Sequence, residues 1–193
     1  MEENFAAVVL AAGLGRRFGG DKLLAECNGK KLFERALGLL DNSGLSPVAV
    51  VSGTEEILSE ACHRGFLPVE NRQPEKGVSL SIRLGLEAVN GSAGALFLVA
   101  DQPLLTQISL KKILLAAQTH PGYIIVPESE NGDSGNPCFF PASFYDELKA
   151  LCGDTGGKKV IRTHPEHLFP VTIPAEELLD TDTKEELARL SYR

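Results

Sequence analysis

The segment from Leu10 to Lys22 reads Leu-Ala-Ala-Gly-Leu-Gly-Arg-Arg-Phe-Gly-Gly-Asp-Lys, four glycines among three cations. Glycine lets successive backbone amides turn onto an anion and lets a ligand approach the backbone closely. Arg16, Arg17 and Lys22 add the positive charge that phosphate groups need. The segment is not a P-loop, because Lys22 is followed by Leu23 rather than Ser or Thr. Gly13, Gly15 and Gly19 come closer to a dinucleotide fingerprint, but Phe18-Gly19-Gly20-Asp21 prolongs the loop where that motif opens directly into a helix. A nicotinamide-type oxidoreductase, and a plain flexible turn with surface cations, are the lesser readings of the same residues.

Acids are the second ingredient. The apolar run Leu96 to Ala100 ends in Asp101, with Pro103 just beyond. A carboxylate at that depth needs a partner or a cation. Magnesium suits it, since one or two carboxylates plus substrate phosphates make its usual site. Capping of a turn is the plainer use. Near the C-terminus, Asp180-Thr181-Asp182-Thr183 precedes Glu186. Thr183 and Glu186 have capping-box spacing, which leaves Asp182, ahead of Asp180, as the second candidate ligand. There is no Ser–His–Asp set. His164 and His167 flank Pro165, which spoils the helix that would align them on a metal. The cysteines at 27, 62, 138 and 152 stand too far apart for a zinc or iron–sulfur pattern.

These residues need elements to hold them. Phe5 to Ala12 is an unbroken run of small and β-branched residues, the mark of a strand buried on both faces. Further strands are expected at 48–51, 66–69, 95–100, 123–126, 137–140 and 168–173. Helices are expected at 32–40, 55–63, 79–89, 107–118, 143–151, 156–163 and 184–190. Strands alternating with helices imply a mostly parallel, twisted sheet between helical layers, a three-layer α/β/α sandwich. In such sheets ligands sit beyond the carboxyl ends of the strands, where the glycine loop and Asp101 fall.

The chain has 193 residues, 26 acidic against 19 basic, with a net charge of −7. A single domain spanning 1–193 is expected at this length. The negative charge argues against nucleic-acid binding, which needs a basic footprint. No apolar run approaches a membrane span, and the acidic start Met-Glu-Glu-Asn-Phe is unlike a signal peptide, so a cytoplasmic location is expected.

The glycine segment resembles the signature of the molybdenum cofactor nucleotidyltransferases, within the wider nucleotidyltransferases of Rossmann-like, GT-A-like fold. Leu10, Ala11, Ala12, Gly13, Arg17, Phe18, Gly19 and Lys22 fit its pattern. The resemblance implies that the loop, with Leu10, Ala11, Ala12, Gly13 and Gly15, holds a nucleoside triphosphate. Lys22 would grip the phosphates, and Arg16 or Arg17 the leaving pyrophosphate. Asp101 and Asp182 would carry magnesium. The stretch Asn71 to Leu86 resembles another family segment, in which Gly77 and Ser81 border base and ribose. Gly135-Asn136-Pro137 and Gly153-Asp154 through Lys158 resemble loops that border the pterin acceptor, Lys158 standing where arginine is expected.

Such an inventory needs no protein base, because an acceptor phosphate is already largely ionised near neutral pH. Positioning and charge neutralisation suffice. The Leu-Ala-Ala-Gly variant goes with cytidylyl transfer in the resemblance, and the Ala12 methyl narrows the slot in favour of a pyrimidine. The expectation is therefore transfer of CMP from CTP to molybdopterin, with Arg17, Lys22 and Asp101 catalytic and a molybdenum hydroxylase as a possible client. Guanylyl transfer, another phosphorylated acceptor, and a non-catalytic carrier of the cofactor are the alternatives.

Overall fold

The computed structural model describes residues 4–191 apart from Leu14, Arg16 and Arg17. Strand β1 (Phe5–Ala11) comes first among the described elements and is buried except at Leu10, which is half-buried. A short hairpin follows, β2 (Glu26–Cys27) and β3 (Lys30–Lys31), leading into α1 (Leu32–Leu40). Then come β4 (Val48–Ser52), α2 (Glu55–His63), β5 (Leu67–Glu70), α3 (Val78–Ala88), β6 (Gly94–Val99) and α4 (Gln107–Thr119). The chain closes with β7 (Ile124–Glu128), β8 (Cys138–Pro141), α5 (Tyr145–Lys149), α6 (Lys158–Thr163), β9 (Leu168–Thr172) and α7 (Lys184–Ser191).

Seven strands form one sheet in the order β5-β4-β1-β6-β8-β7-β9. All neighbours are parallel except β8, which runs antiparallel to β6 and to β7. The period-two alternation of β1 divides the core. Phe5, Ala7, Val9 and Ala11 enter one apolar layer with α1, α2 and α4. Ala6 and Val8 enter the other with α3, α5 and α6. A strand buried on both sides needs apolar residues at every position, which is why β1 shows no polar alternation. The three-layer arrangement expected from the sequence is present. No described helix is long and apolar enough to cross a membrane.

Some element ends differ from expectation. The segment 143–151 begins as a 3-10 turn, Ala142–Phe144, before α5. Helix α6 starts at Lys158 because Gly156 and Gly157 stay outside it. The β2–β3 hairpin lies where an irregular loop was expected. Asn28 and Gly29 both take positive φ, 52° and 74°, as a tight Asn-Gly hairpin turn requires. A third, small cluster lies beneath it, with Phe18, Cys27, Leu32 and Leu187 packed together. The terminal helix α7 is thus tied to the segment that follows the glycine loop.

Helix α3 must lie close against β1 to carry its first turn to the sheet edge. Gly85 permits this: a Cβ there would stand 2.3 Å from a Val8 methyl. Gly85→Ala is expected to destabilise the protein by about 1–3 kcal/mol through overpacking, read as a lower urea midpoint. An unchanged midpoint would mean that α3 can move off the sheet at no cost.

Candidate active site

Leu10 pairs with Val99, so β1 and β6 end side by side. The glycine loop and Asp101 therefore emerge together at one sheet edge. Lys22 begins a 3-10 turn, Lys22–Leu24, whose leucines pack against the core. Anchored there, its side chain reaches back to the strand ends. The Lys22 Nζ lies 2.6 Å from Asp101 Oδ2 and 3.1 Å from Asp182 Oδ1. The lysine side chain is 10% exposed and that of Asp182 is 41% exposed, so the cation is enclosed while one acid still faces solvent. Burial disfavours the ammonium, but hydrogen bonds and attraction from Asp101 and Asp182 outweigh it and hold Lys22 above the ordinary lysine value. Desolvation and the nearby Asp101 carboxylate push Asp180 up.

Asp101 and Asp182 are far apart in sequence, and a seam of hydrogen bonds brings them together. Glu177 is buried in a 3-10 turn, Ala175–Leu178, after β9. Its carboxylate accepts the backbone N–H of Thr106 at 2.9 Å and the Thr106 hydroxyl at 3.0 Å. Thr106 is the N-cap of α4, its hydroxyl accepting from the Ser109 N–H. The carboxylate thus also meets the positive end of a helix. Gln102 Nε2 donates to the Leu178 carbonyl at 3.2 Å, and Thr181 N–H to the Asp101 carbonyl at 3.0 Å. Beyond the seam, Thr183 and Glu186 form the expected capping box: each donates a backbone N–H to the other's side chain. Asp182 is left to face Lys22.

The acids and the lysine stand in a cavity of about 650 Å³. Leu10, Ala12, Gly13, Gly15, Gly77 and Ser81 also line it. Ala11 instead packs its methyl in the core, and its carbonyl accepts the Ser52 hydroxyl. Arg16 and Arg17 lie outside the described residues. Gly77 has φ of 89°, and a Cβ on it would stand 2.3 Å from the Gly153 carbonyl group. The Gly153 oxygen also accepts the Ser79 N–H at 3.2 Å. Gly153 and Asp154 therefore line this cavity too, beside Gly77.

A second cavity of about 790 Å³ adjoins the first and shares Leu10, Val78, Val99 and Asp154 with it. Gly135, Asn136 and Lys158 line it, whereas Pro137 is buried beside it. Its floor includes Ile82, Phe97 and Phe140. Lys159 and Arg162 join Lys158 on its wall, a positive concentration in a chain of net negative charge. Cys138 is also part of the wall. Burial pushes its thiol up to about 12, so it is a neutral hydrophobic surface rather than a nucleophile. His164, with its partner carboxylate on Glu147 at 2.9 Å, belongs to an ion-pair cluster and lines neither cavity.

Sequence reasoning missed Glu177, Thr106, Gln102 and Asn71. Asn71 heads the Asn71–Leu86 segment and Gln102 follows Asp101, but neither was given a role, while the contacts of Glu177, Thr106 and Gln102 join parts of the chain far apart in sequence. The one local signal was Thr106 ahead of an amphipathic run, an N-cap signature.

The chain is similar to known proteins along most of its length. Residues 7–168 match the family described as the MobA-like NTP transferase domain. The purine catabolism protein PucB of Bacillus subtilis is 29% identical over 192 residues, covering 93% of this chain and 92% of PucB. Rv0371c of Mycobacterium tuberculosis superposes with a TM-score of 0.86 at 24% identity, over 100% of both chains. A structure of Rv0371c with manganese gives 0.80 at 22% identity, over 98% of both. The nucleotidyl transferase Mth528 of Methanothermobacter gives 0.81 at 21% identity, over 98% of this chain and 96% of that one. At these identities the structural likenesses establish the shared fold.

Glu177→Ala would remove a charged acceptor from the Thr106 N–H and hydroxyl, two part-buried hydrogen bonds, at a cost of about 1–3 kcal/mol. The expected result is a lower urea midpoint, with part of the loss restored in Glu177→Gln, whose amide oxygen can still accept. Equal midpoints for all three proteins would mean that water replaces the carboxylate freely.

Proposed function

The chain belongs to the MobA-like NTP transferase family, and on that premise we propose that it transfers CMP from CTP to the phosphate of molybdopterin, forming molybdopterin cytosine dinucleotide. The observation that carries this reading is the meeting of Lys22, Asp101 and Asp182 in one cavity, with a second, cation-walled cavity adjoining it. A nucleoside triphosphate and a phosphorylated acceptor can be bound side by side there.

In this reading the triphosphate occupies the first cavity. Amides of the loop around Gly13 and Gly15 and the Lys22 ammonium hold its β- and γ-phosphates. Arg16 and Arg17 are assigned to the leaving pyrophosphate on the family resemblance. The Ala12 methyl, Gly77 and Ser81 border the nucleoside, with the methyl favouring a pyrimidine. The acceptor occupies the second cavity, its phosphate directed by Lys158. Gly135 and Asn136 form one side of that cavity, with Pro137 behind them. Gly153 and Asp154 form the partition. The acceptor phosphate is already ionised and attacks the α-phosphorus in line, so the protein supplies alignment and charge rather than a base.

The acid pair fits a divalent metal. Two carboxylates already converge on a single cation, the Lys22 ammonium, and hard-oxygen ligands with phosphates completing the shell are what magnesium takes. Asp101 and Asp182 would hold it, and a metal there would neutralise charge developing on the phosphates. The manganese complex of Rv0371c supports a divalent ion in this fold. Lys22 would turn from the acids to the phosphates as the nucleotide arrives. The PucB relative, named for purine catabolism, is consistent with a client hydroxylase acting on a purine.

The test is pyrophosphate release with magnesium and molybdopterin, offering CTP, GTP, ATP and UTP in parallel. Release with CTP alone is expected, and Asp101→Asn should lower it by at least about 100-fold. Release with GTP alone would overturn the cytidylyl assignment while keeping the mechanism. Full activity of Asp101→Asn would overturn the mechanism itself.

A further inference from the structure

Ser81 is almost fully buried on the first turn of α3, yet it is one of the residues that line the first cavity. Its hydroxyl has a neighbour of fixed polarity. Asn71, 1% exposed just after β5, accepts the backbone N–H of Gln73 at its Oδ1, at 2.9 Å. A backbone N–H can only donate, so the amide orientation is settled by that bond. Asn71 Nδ2 is then the atom that meets Ser81 Oγ, at 3.0 Å. An amide nitrogen also only donates. Ser81 Oγ therefore accepts, and its own hydrogen must go elsewhere. Among the described residues it has no protein acceptor. A buried hydroxyl that spends a lone pair on Asn71 has its hydrogen left for whatever fills the cavity.

We propose that Asn71 is a positioning residue that makes Ser81 an obligate hydrogen-bond donor to the base of the bound nucleotide. The inference rests on the reading of the first cavity as the nucleotide site. The base is then recognised through an acceptor on the edge that faces α3. On cytosine that edge carries the O2 carbonyl and N3, and the exocyclic amino group must point away from Ser81. The polarity belongs to the pair. With a carboxylate in place of the Asn71 amide, Ser81 would donate to it and turn a lone pair toward the base, which repels the same acceptors.

The experiment is calorimetric binding of CTP without acceptor, so that no transfer occurs, with tripolyphosphate as a base-free probe. Ser81→Ala is expected to weaken CTP about tenfold, the scale of one good hydrogen bond. Asn71→Asp is expected to weaken it at least as much, and to add nothing when Ser81→Ala is already present. Tripolyphosphate affinity should be the same in all of these proteins. Asn71→Ala, which lets the hydroxyl rotate, should cost two- to threefold and again only while Ser81 is intact. It serves where Asn71→Asp does not fold, as judged by melting curves. Asn71 substitutions that weaken CTP equally with and without Ser81→Ala, or that leave CTP binding unchanged, would overturn the inference. Wild-type protein that binds CTP no better than tripolyphosphate, or whose CTP binding ignores Lys22→Ala, would remove the nucleotide reading and this inference with it.

Discussion

Two carboxylates brought to one small, partly enclosed site repel each other, and they persist there only with positive charge between them. At separations of about 4 Å and an effective dielectric near 20, a unit pair interacts by about 4 kcal/mol, so the sign of what lies between them decides whether the site holds. In this chain the Lys22 ammonium does so, bonded to Asp101 and Asp182 at once. The surrounding fold can be read as the means of keeping those three groups together. Pairing of β1 with β6 sets the lysine loop beside Asp101. The Glu177–Thr106 and Thr181–Asp101 bonds lay the C-terminal segment along the loop after β6. Leu23 and Leu24 hold the base of the lysine against the core.

That arrangement has a thermodynamic consequence under the nucleotidyl transfer reading. The ammonium that steadies the acids is also the group assigned to the triphosphate. A nucleotide that draws Lys22 away leaves the acids in need of a divalent ion. An ion that takes the acids leaves Lys22 in need of an anion. Each ligand then favours the other, and by linkage the coupling is reciprocal. A site built this way discriminates against either ligand alone.

Much of the fold was legible because buried strands and amphipathic helices write their period directly into the sequence. The seven main strands and the helices lie close to where the apolar pattern puts them. Their lateral order was not legible from that pattern, since β8 inserts antiparallel between β6 and β7 through contacts distant in sequence. The β2–β3 turn was legible in Asn28-Gly29, a tight-turn dipeptide, but lay inside a segment read as loop. At the site, the motif residues could be found one by one. What could not be read was their company. Lys22, associated with phosphates in sequence, stands on the two acids. Gly153, associated with the acceptor, packs against Gly77 of the nucleotide side, because only glycine at 77 allows that approach. Glu177 carries no motif and Asn71 only heads the Asn71–Leu86 segment, and the role of each appears only when its hydrogen-bond partner is seen.

The most direct test is the Mn²⁺ affinity of nucleotide-free protein, wild type against Lys22→Met, followed by the paramagnetic resonance of the free ion. With Lys22 occupying the acid pair, its removal should let Mn²⁺ bind at least about tenfold more tightly, and Asp101→Asn added to Lys22→Met should abolish the gain. Equal or weaker binding by Lys22→Met would contradict the central claim that the lysine and the metal share Asp101 and Asp182.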